Sequence, residues 1–310
     1  TDVEAYRLLG ACAMQTNRDD SLADAVDWMT RCVEAHPDSA RAHVLRSQLY
    51  LLQAESDRSA SEAGRADLEA ATRIGSDDPH VHLMIADGWI GLAQYSRATA
   101  SLDHVAKFDD AALAAHDVTR DELTLAVHEG RAKIALRSKD VDSAAAIADS
   151  GLAAMTGKVR ERFLPSAVRL LLLGGHVSRA TAVLAEFEAV LNRPGNAGAT
   201  GEEYVLLKAR VAAAENRPKD VLDLLDTFVA RGARDAAVYS VAAWAHQSLG
   251  NLRDARRLWQ KYVQIVPDDA EALLNLARAY EGDNWDEAMR YATAAEGHAP
   301  TLASTLARLE

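Results

Sequence analysis

With 46 acidic against 34 basic residues in 310, the chain carries a formal charge of −12. That argues against a general nucleic-acid binder, whose non-specific affinity comes from clustered Lys and Arg neutralising phosphates. Its 49% apolar content suits a globular chain, while apolar runs such as 170–173 fall far short of the ~20 residues a transmembrane helix needs. The chain opens at Thr1 without a basic-then-apolar leader, so compartment stays open. The Ala- and Arg-rich composition suggests a bacterial chain, in the cytoplasm or the periplasm.

Apolar residues recur at helical spacing from end to end and strand signals are absent, which predicts an all-α fold. In chain order the predicted helical hairpins occupy 3–36 (Gly10, Ala25 and Cys32 in step, then Pro37) and 40–78 (Ser47, Tyr50, Ala66). They continue through 79–112 (Ala86, Trp89, Tyr95, Ala98, Val105), 125–158 (Ala132, Ala144, Gly151) and 161–194 (Val168, Gly175, Ala180, Phe187). The last three, 202–235, 236–269 and 270–302, repeat one pattern at a period of 34 residues or one fewer. Within 236–269, Ala243 and Ala255 are the small residues that let two helices approach. Gly250 makes the turn between them, Tyr262 fills the interior, and Pro267 stops the second helix.

Three stretches interrupt the rhythm: 55–64 lengthens the second hairpin, 109–124 separates the third from the fourth, and 193–201 separates the fifth from the sixth. The last holds Pro194, Gly195 and Gly198, which cannot extend a helix, and is the predicted joint in an otherwise single solenoid spanning 1–310. Residues 303–310 read as the start of a capping or further helix. Repeat arrays ordinarily end in polar caps, so the chain reads as a segment of a longer protein or as one that self-associates through its ends.

The residues Leu273, Leu276, Ala277, Tyr280, Ala288, Ala295 and Pro300 resemble the tetratricopeptide repeat (TPR) pattern, with the turn at Gly282 early and Ala292 where an aromatic is usual. The resemblance runs from about Val3 to Leu302 and weakens toward the N-terminus. It implies a right-handed superhelical solenoid of about eight TPR-like helix-turn-helix repeats, whose first helices line a concave groove for an extended peptide or a partner helix. Repeat scaffolds of bacterial envelope export assemblies are similar in style. The chaperone-binding subgroup needs Lys and Asn at two groove positions; Leu274 and Arg278 stand there in the last repeat, and Ser240 and Trp244 in the one before, so that activity is not expected.

Equivalent groove positions in repeats four to eight carry Lys133, Arg169, Arg210, Trp244 and Arg278, with Arg162 and Arg137 nearby and Asp87, Glu129, Glu203 and Glu271 as partial offsets. Guanidinium groups take carboxylates two-pronged and stack on indole. The predicted partner site is therefore Lys133, Arg162, Arg169, Arg210, Trp244 and Arg278, facing an acidic segment of a protein or peptide, or an anionic polymer. Solvated or Glu-paired arginines are the plain alternative.

His43, His82 and His128 share one first-helix position and read as core packing, because successive first helices stand too far apart to converge on a metal. Cys12 and Cys32 read as buried, unpaired thiols. No nucleophile elbow, phosphate loop or metal-ligand spacing is present, so no catalytic residue, metal or cofactor is predicted. The reading is a non-catalytic interaction scaffold. The alternative is a substrate-recruiting or regulatory segment of a larger enzyme, a transferase or synthase, whose catalytic part lies elsewhere.

Overall fold

The computed structural model describes residues 2–15, 21–54, 58–196, 200–280 and 282–298. Among these described residues there are seventeen α-helices and no strand. The chain folds as two compact units, Thr1–Gly174 and Gly175–Glu310.

The first unit contains α1 (Asp2–Met14), α2 (Ser21–Ala35), α3 (Ala40–Gln53), α4 (Arg58–Ile74), α5 (Pro79–Gly91), α6 (Tyr95–Val105), the short α7 (Asp110–Ala115), α8 (Arg120–Ser138), α9 (Val141–Ala154) and α10 (Gly157–Leu173). Consecutive pairs α1/α2, α3/α4, α5/α6 and α8/α9 form hairpins, and α10 packs on both α8 and α9. The second unit holds α11 (Val177–Leu191), α12 (Glu202–Ala214), α13 (Pro218–Arg231), α14 (Ala237–Ser248), α15 (Leu252–Ile265), α16 (Ala270–Tyr280) and α17 (Trp285–His298). Here α12/α13, α14/α15 and α16/α17 are the hairpins, with α11 against α12. The two helices of the interval 161–194 thus fall in different units.

Small residues explain why the pairs close so tightly. On first helices Ser47, Ala86, Ala132, Ala243 and Ala277 are buried, as are Ala25, Ala98, Ala144, Ala180, Ala255 and Ala288 on second helices. Larger side chains fill the layers between: Leu68, Ile85 and Trp89 in the first unit, Leu225, Leu258 and Trp259 in the second.

The turn inside each hairpin recurs just as regularly. The fifteenth residue of five successive intervals, Ala93, Lys139, Gly175, Asn216 and Gly250, has positive φ. A left-handed residue there ends one helix and redirects the chain into the next. Gly282 plays the same part early in the last interval. Helix starts carry side-chain caps: Asp78 accepts from the His80 N–H at 2.8 Å, and Asp269 from Glu271 and Ala272 at 3.1 and 3.2 Å. One member of each of these acidic pairs at the connections, Asp78 and Asp269, therefore acts as a cap.

The break at 109–124 is ordered. Asp109 caps α7, Thr119 and Glu122 form a reciprocal capping box at α8, and Arg120 bonds both Asp110 and the Phe108 carbonyl. Helix α8 therefore starts at Arg120, five residues before the hairpin boundary predicted at 125. The predicted joint at 193–201 lies within the second unit, with 197–199 outside the described residues. Across it the Phe187 and Tyr204 rings sit 6.1 Å apart, and Lys208 reaches Glu188 at 3.9 Å. The predicted helix at 303–310 also lies outside the described residues.

Candidate partner-binding grooves

In the first unit, α5, α8 and α10 present one face that holds two adjoining cavities. One, of 340 Å³, is bounded by residues including Met84, Asp87, Glu129 and Lys133. The other, of 380 Å³, is bounded by residues including His80, Glu122, Glu129 and Arg162. Lys133 is exposed and its Nζ lies 2.8 Å from Asp87 Oδ1. Arg162 is exposed at the rim, near Glu122, whose carboxyl is held below its ordinary value mainly by the Thr119 N–H and hydroxyl. Arg169 is half-buried on α10. Glu129 accepts from the buried Ser166 hydroxyl at 2.8 Å. This face carries both signs of charge in close pairs, so the local basic character expected there is largely offset.

The second unit differs. Ser240, Val241 and Trp244 of α14, with Ala213 of α12 and Trp259 of α15, enclose a shallow depression of 330 Å³. Trp259 is fixed by donating Nε1–H to Gln247 Oε1 at 3.1 Å and by edge contact with the Tyr262 ring. The Tyr262 hydroxyl in turn donates to Asp269 at 2.8 Å, and burial together with that carboxylate pushes its pKa above the ordinary phenol value. Arg210 is half-buried on α12, three residues before Ala213. Arg278 is exposed on α16 and donates a long 3.4 Å bond to Asn275. A half-buried indole on a rigid floor thus stands between arginine-bearing helices.

No protein-family model matches the chain, and no curated protein sequence matches it. Solved structures do. A tetratricopeptide repeat protein from Parabacteroides merdae ATCC 43184 superposes with a TM-score of 0.52 at 14% identity, over 77% of this chain and 84% of its own. Yeast Tom70 gives 0.60 at 12% identity over 100% of this chain, which spans 63% of that one. A chain of the APC/C hetero-tetramer Cut9–Hcn1 gives 0.57 at 11% identity over 96% of this chain, which spans 56% of that one. The fold is that of tetratricopeptide-repeat proteins.

Against the TPR pattern, Leu274 departs from its expected groove position: it is buried in a cluster with Leu273 and Ala295. His82 and His128 are buried as expected of core residues, and burial holds both imidazoles below the ordinary histidine value. His43 instead joins a polar cluster, with Nδ1 2.8 Å from Asp67 and Nε2 3.0 Å from the Pro37 carbonyl. Both cysteines are free, but Cys12 is exposed where burial was expected, because it lies off the face that α1 turns to α2. Burial raises the pKa of the Cys32 thiol. Trp28 is half-buried under the Arg31 guanidinium, 4.9 Å from its ring.

Two features have no signature in the sequence. One is the buried Asp67–Arg46 pair linking α4 to α3. The other is a large cleft bounded by α4, α5 and α6, outside the first-helix face. Their residues come from different helices at unrelated spacings, so no linear pattern announces them.

Proposed function

We propose that the protein is a non-catalytic interaction scaffold and that the first-helix face of its second unit takes an acidic, extended segment of a protein partner. The observation that carries this reading is the Trp244 depression, floored by the anchored Trp259, with Arg210 carried on α12 and Arg278 on α16. An aromatic or aliphatic side chain of the partner fills the depression, and flanking carboxylates engage the guanidinium groups. The helices are already packed, so the scaffold loses little entropy on binding and the partner supplies most of that cost. On the first unit, Lys133, Arg162 and Arg169 form a separate and weaker candidate patch, since Lys133 must first leave Asp87.

The test uses the full chain and a fluorescein-labelled decapeptide alternating Glu and Phe, followed by anisotropy. Replacing Arg210, Trp244 and Arg278 together by Ala should weaken binding by roughly 10- to 100-fold, from ion pairs of about 1 kcal/mol each at the half-buried Arg210 and the exposed Arg278 plus one aromatic anchor. Helicity by circular dichroism should stay unchanged. Equal affinity in the triple variant rejects the site.

A further inference from the structure

Helix α5 has two working faces. His80, Leu83, Met84 and Asp87 line the first-helix cavities, while His82, Ile85 and Trp89 floor a separate half-open cleft closed on its sides by α4 and α6. At 680 Å³ it is larger than each of the groove cavities described above, and within the ~300–1,000 Å³ typical of small-molecule sites. It is independent of the groove assigned to the protein partner.

The chemistry of its walls is specific. Ile85, Trp89 and Ala100 line it with apolar surface, and one wall carries His82 and His104, whose tilted rings have centroids 4.4 Å apart and each meet the Phe108 ring edge-on at 5.7 Å. His82 is held in place through Nε2, 2.8 Å from the Ser76 carbonyl oxygen. The Thr72 and Ser101 hydroxyls are already committed as donors, Thr72 to the Leu68 carbonyl at 2.7 Å and Ser101 to the Arg97 carbonyl at 3.1 Å. The charged donors on the walls are the guanidinium groups of Arg73 and Arg97, beside the Ser76 hydroxyl, which accepts from the Asp78 N–H at 3.0 Å, and the His104 ring. Arg97 is fixed in place, stacked 4.6 Å over the Trp89 ring and joined through Nη1 to Glu69 at 2.8 Å. Both members of that ion pair are close to half exposed, so exchanging Glu69 for another carboxylate costs little.

We propose that this cleft binds a small aromatic carboxylic acid, its ring against Ile85, Ala100 and the histidine wall and its carboxylate on Arg97 and Arg73. A cationic ligand is disfavoured twice over. The Trp89 face that would attract it is already covered by Arg97, and the two guanidinium groups on the walls, Arg73 and Arg97, outnumber the one carboxylate, Glu69.

Isothermal titration calorimetry of the full chain with 2-naphthoate, 2-naphthamide and 2-naphthylmethylammonium tests the idea. The acid should bind saturably at one site per chain, and the amide and the ammonium at least about 5-fold more weakly, because only the acid sets an opposite charge against the two guanidinium groups. Ala100 is an exposed helical position, so Ala100→Trp fills the cleft from the solvent side and should weaken the acid by about 10-fold or more. Arg97→Gln combined with Arg73→Gln should weaken the acid while bringing the amide level with it, which keeps the test valid if Ala100→Trp misfolds. Absence of saturable heat up to millimolar acid, equal binding of acid and amide to the unaltered chain, or affinity untouched by these variants overturns the assignment.

Discussion

Asp67 sits 4% exposed on α4 and accepts from Arg46 Nε and Nη2 of α3, both at 2.7 Å. Asp67 is also 2.8 Å from His43 Nδ1, so Asp67→Ala strands two partners, Arg46 only half-buried, and should cost about 2–4 kcal/mol, whereas Arg46→Met with Asp67→Leu should recover only part of that loss because His43 is left without its carboxylate. Urea unfolding measures both; an Asp67→Ala cost below about 1 kcal/mol would mean the pair is effectively solvated. The hairpin turns give a second residue-level test. Ala93 has φ +54° on an exposed site, while Gly250 at +77° has open space where a Cβ would stand. A left-handed L-residue costs roughly 1–2 kcal/mol, and glycine loses roughly 0.5–1 in chain entropy, so Ala93→Gly should stabilise slightly and Gly250→Ala should destabilise by up to about 1 kcal/mol. Burial lowers the pKa of His82 and His128, helped by His104 beside the first and Arg131 beside the second and opposed at His82 by the Ser76 carbonyl and Asp78. Unfolded histidine titrates near about 6.5, so as pH falls through that value the unfolded chain takes up protons that the folded chain refuses. Stability is complete above it and declines until the lower folded pKa is passed. Melting temperature should therefore drop between about pH 7.5 and pH 5.5, and a His82→Gln/His128→Gln variant should lose much of that drop.

Between helices, the spacing is set by what is missing from the glycines. A Cβ on Gly151 of α9 would collide with Cε1 and stand 2.5 Å from Cζ of Phe163, itself fully buried on α10. Alanine improves intrinsic helix propensity by about 1 kcal/mol, but wedging a locked ring apart costs about 1–3, so Gly151→Ala should be net destabilising. Gly130 is the control. Its Cβ would meet the Leu102 methyls at 2.9 Å, the far end of a side chain that can shift, so Gly130→Ala should be milder. Adding Phe163→Leu to Gly151→Ala should recover part of the loss; a Gly151→Ala protein that melts like the unaltered chain would contradict this account of the α9–α10 contact. The small residues, turns and caps were readable because each depends on a position within a repeat. Helix α7 was not: its order rests on Asp109, Arg120 and the Thr119–Glu122 box, which act across the interruption and so have no counterpart in any repeat.

At the scale of the whole chain the same distinction decides what was legible. A period near 34 residues, with alanines at the crossings, exposes an all-α repeat fold even though no family model matches, because packing between neighbours needs only a few small residues in register. A binding surface needs side chains from three or more helices to converge. The row of arginines drawn from equivalent positions counted Asp87 among its offsets but could not show that it pairs directly with Lys133, and it missed Trp259 as the floor beneath Trp244. Neighbour-only packing also has an energetic consequence, since damage should spread through adjoining repeats and fade with distance along the array. Trp259 is buried among Leu258, Ala255 and Val238 in the core of the second unit, so Trp259→Ala should cost about 3–5 kcal/mol locally. Amide hydrogen exchange should then accelerate first in α14–α16 and next in α12, α13 and α17, while α3–α6 keep their protection. Equal acceleration in α3–α6 would show that the chain unfolds as one cooperative body, and that the contacts uniting each group of hairpins do not act as separate energetic units.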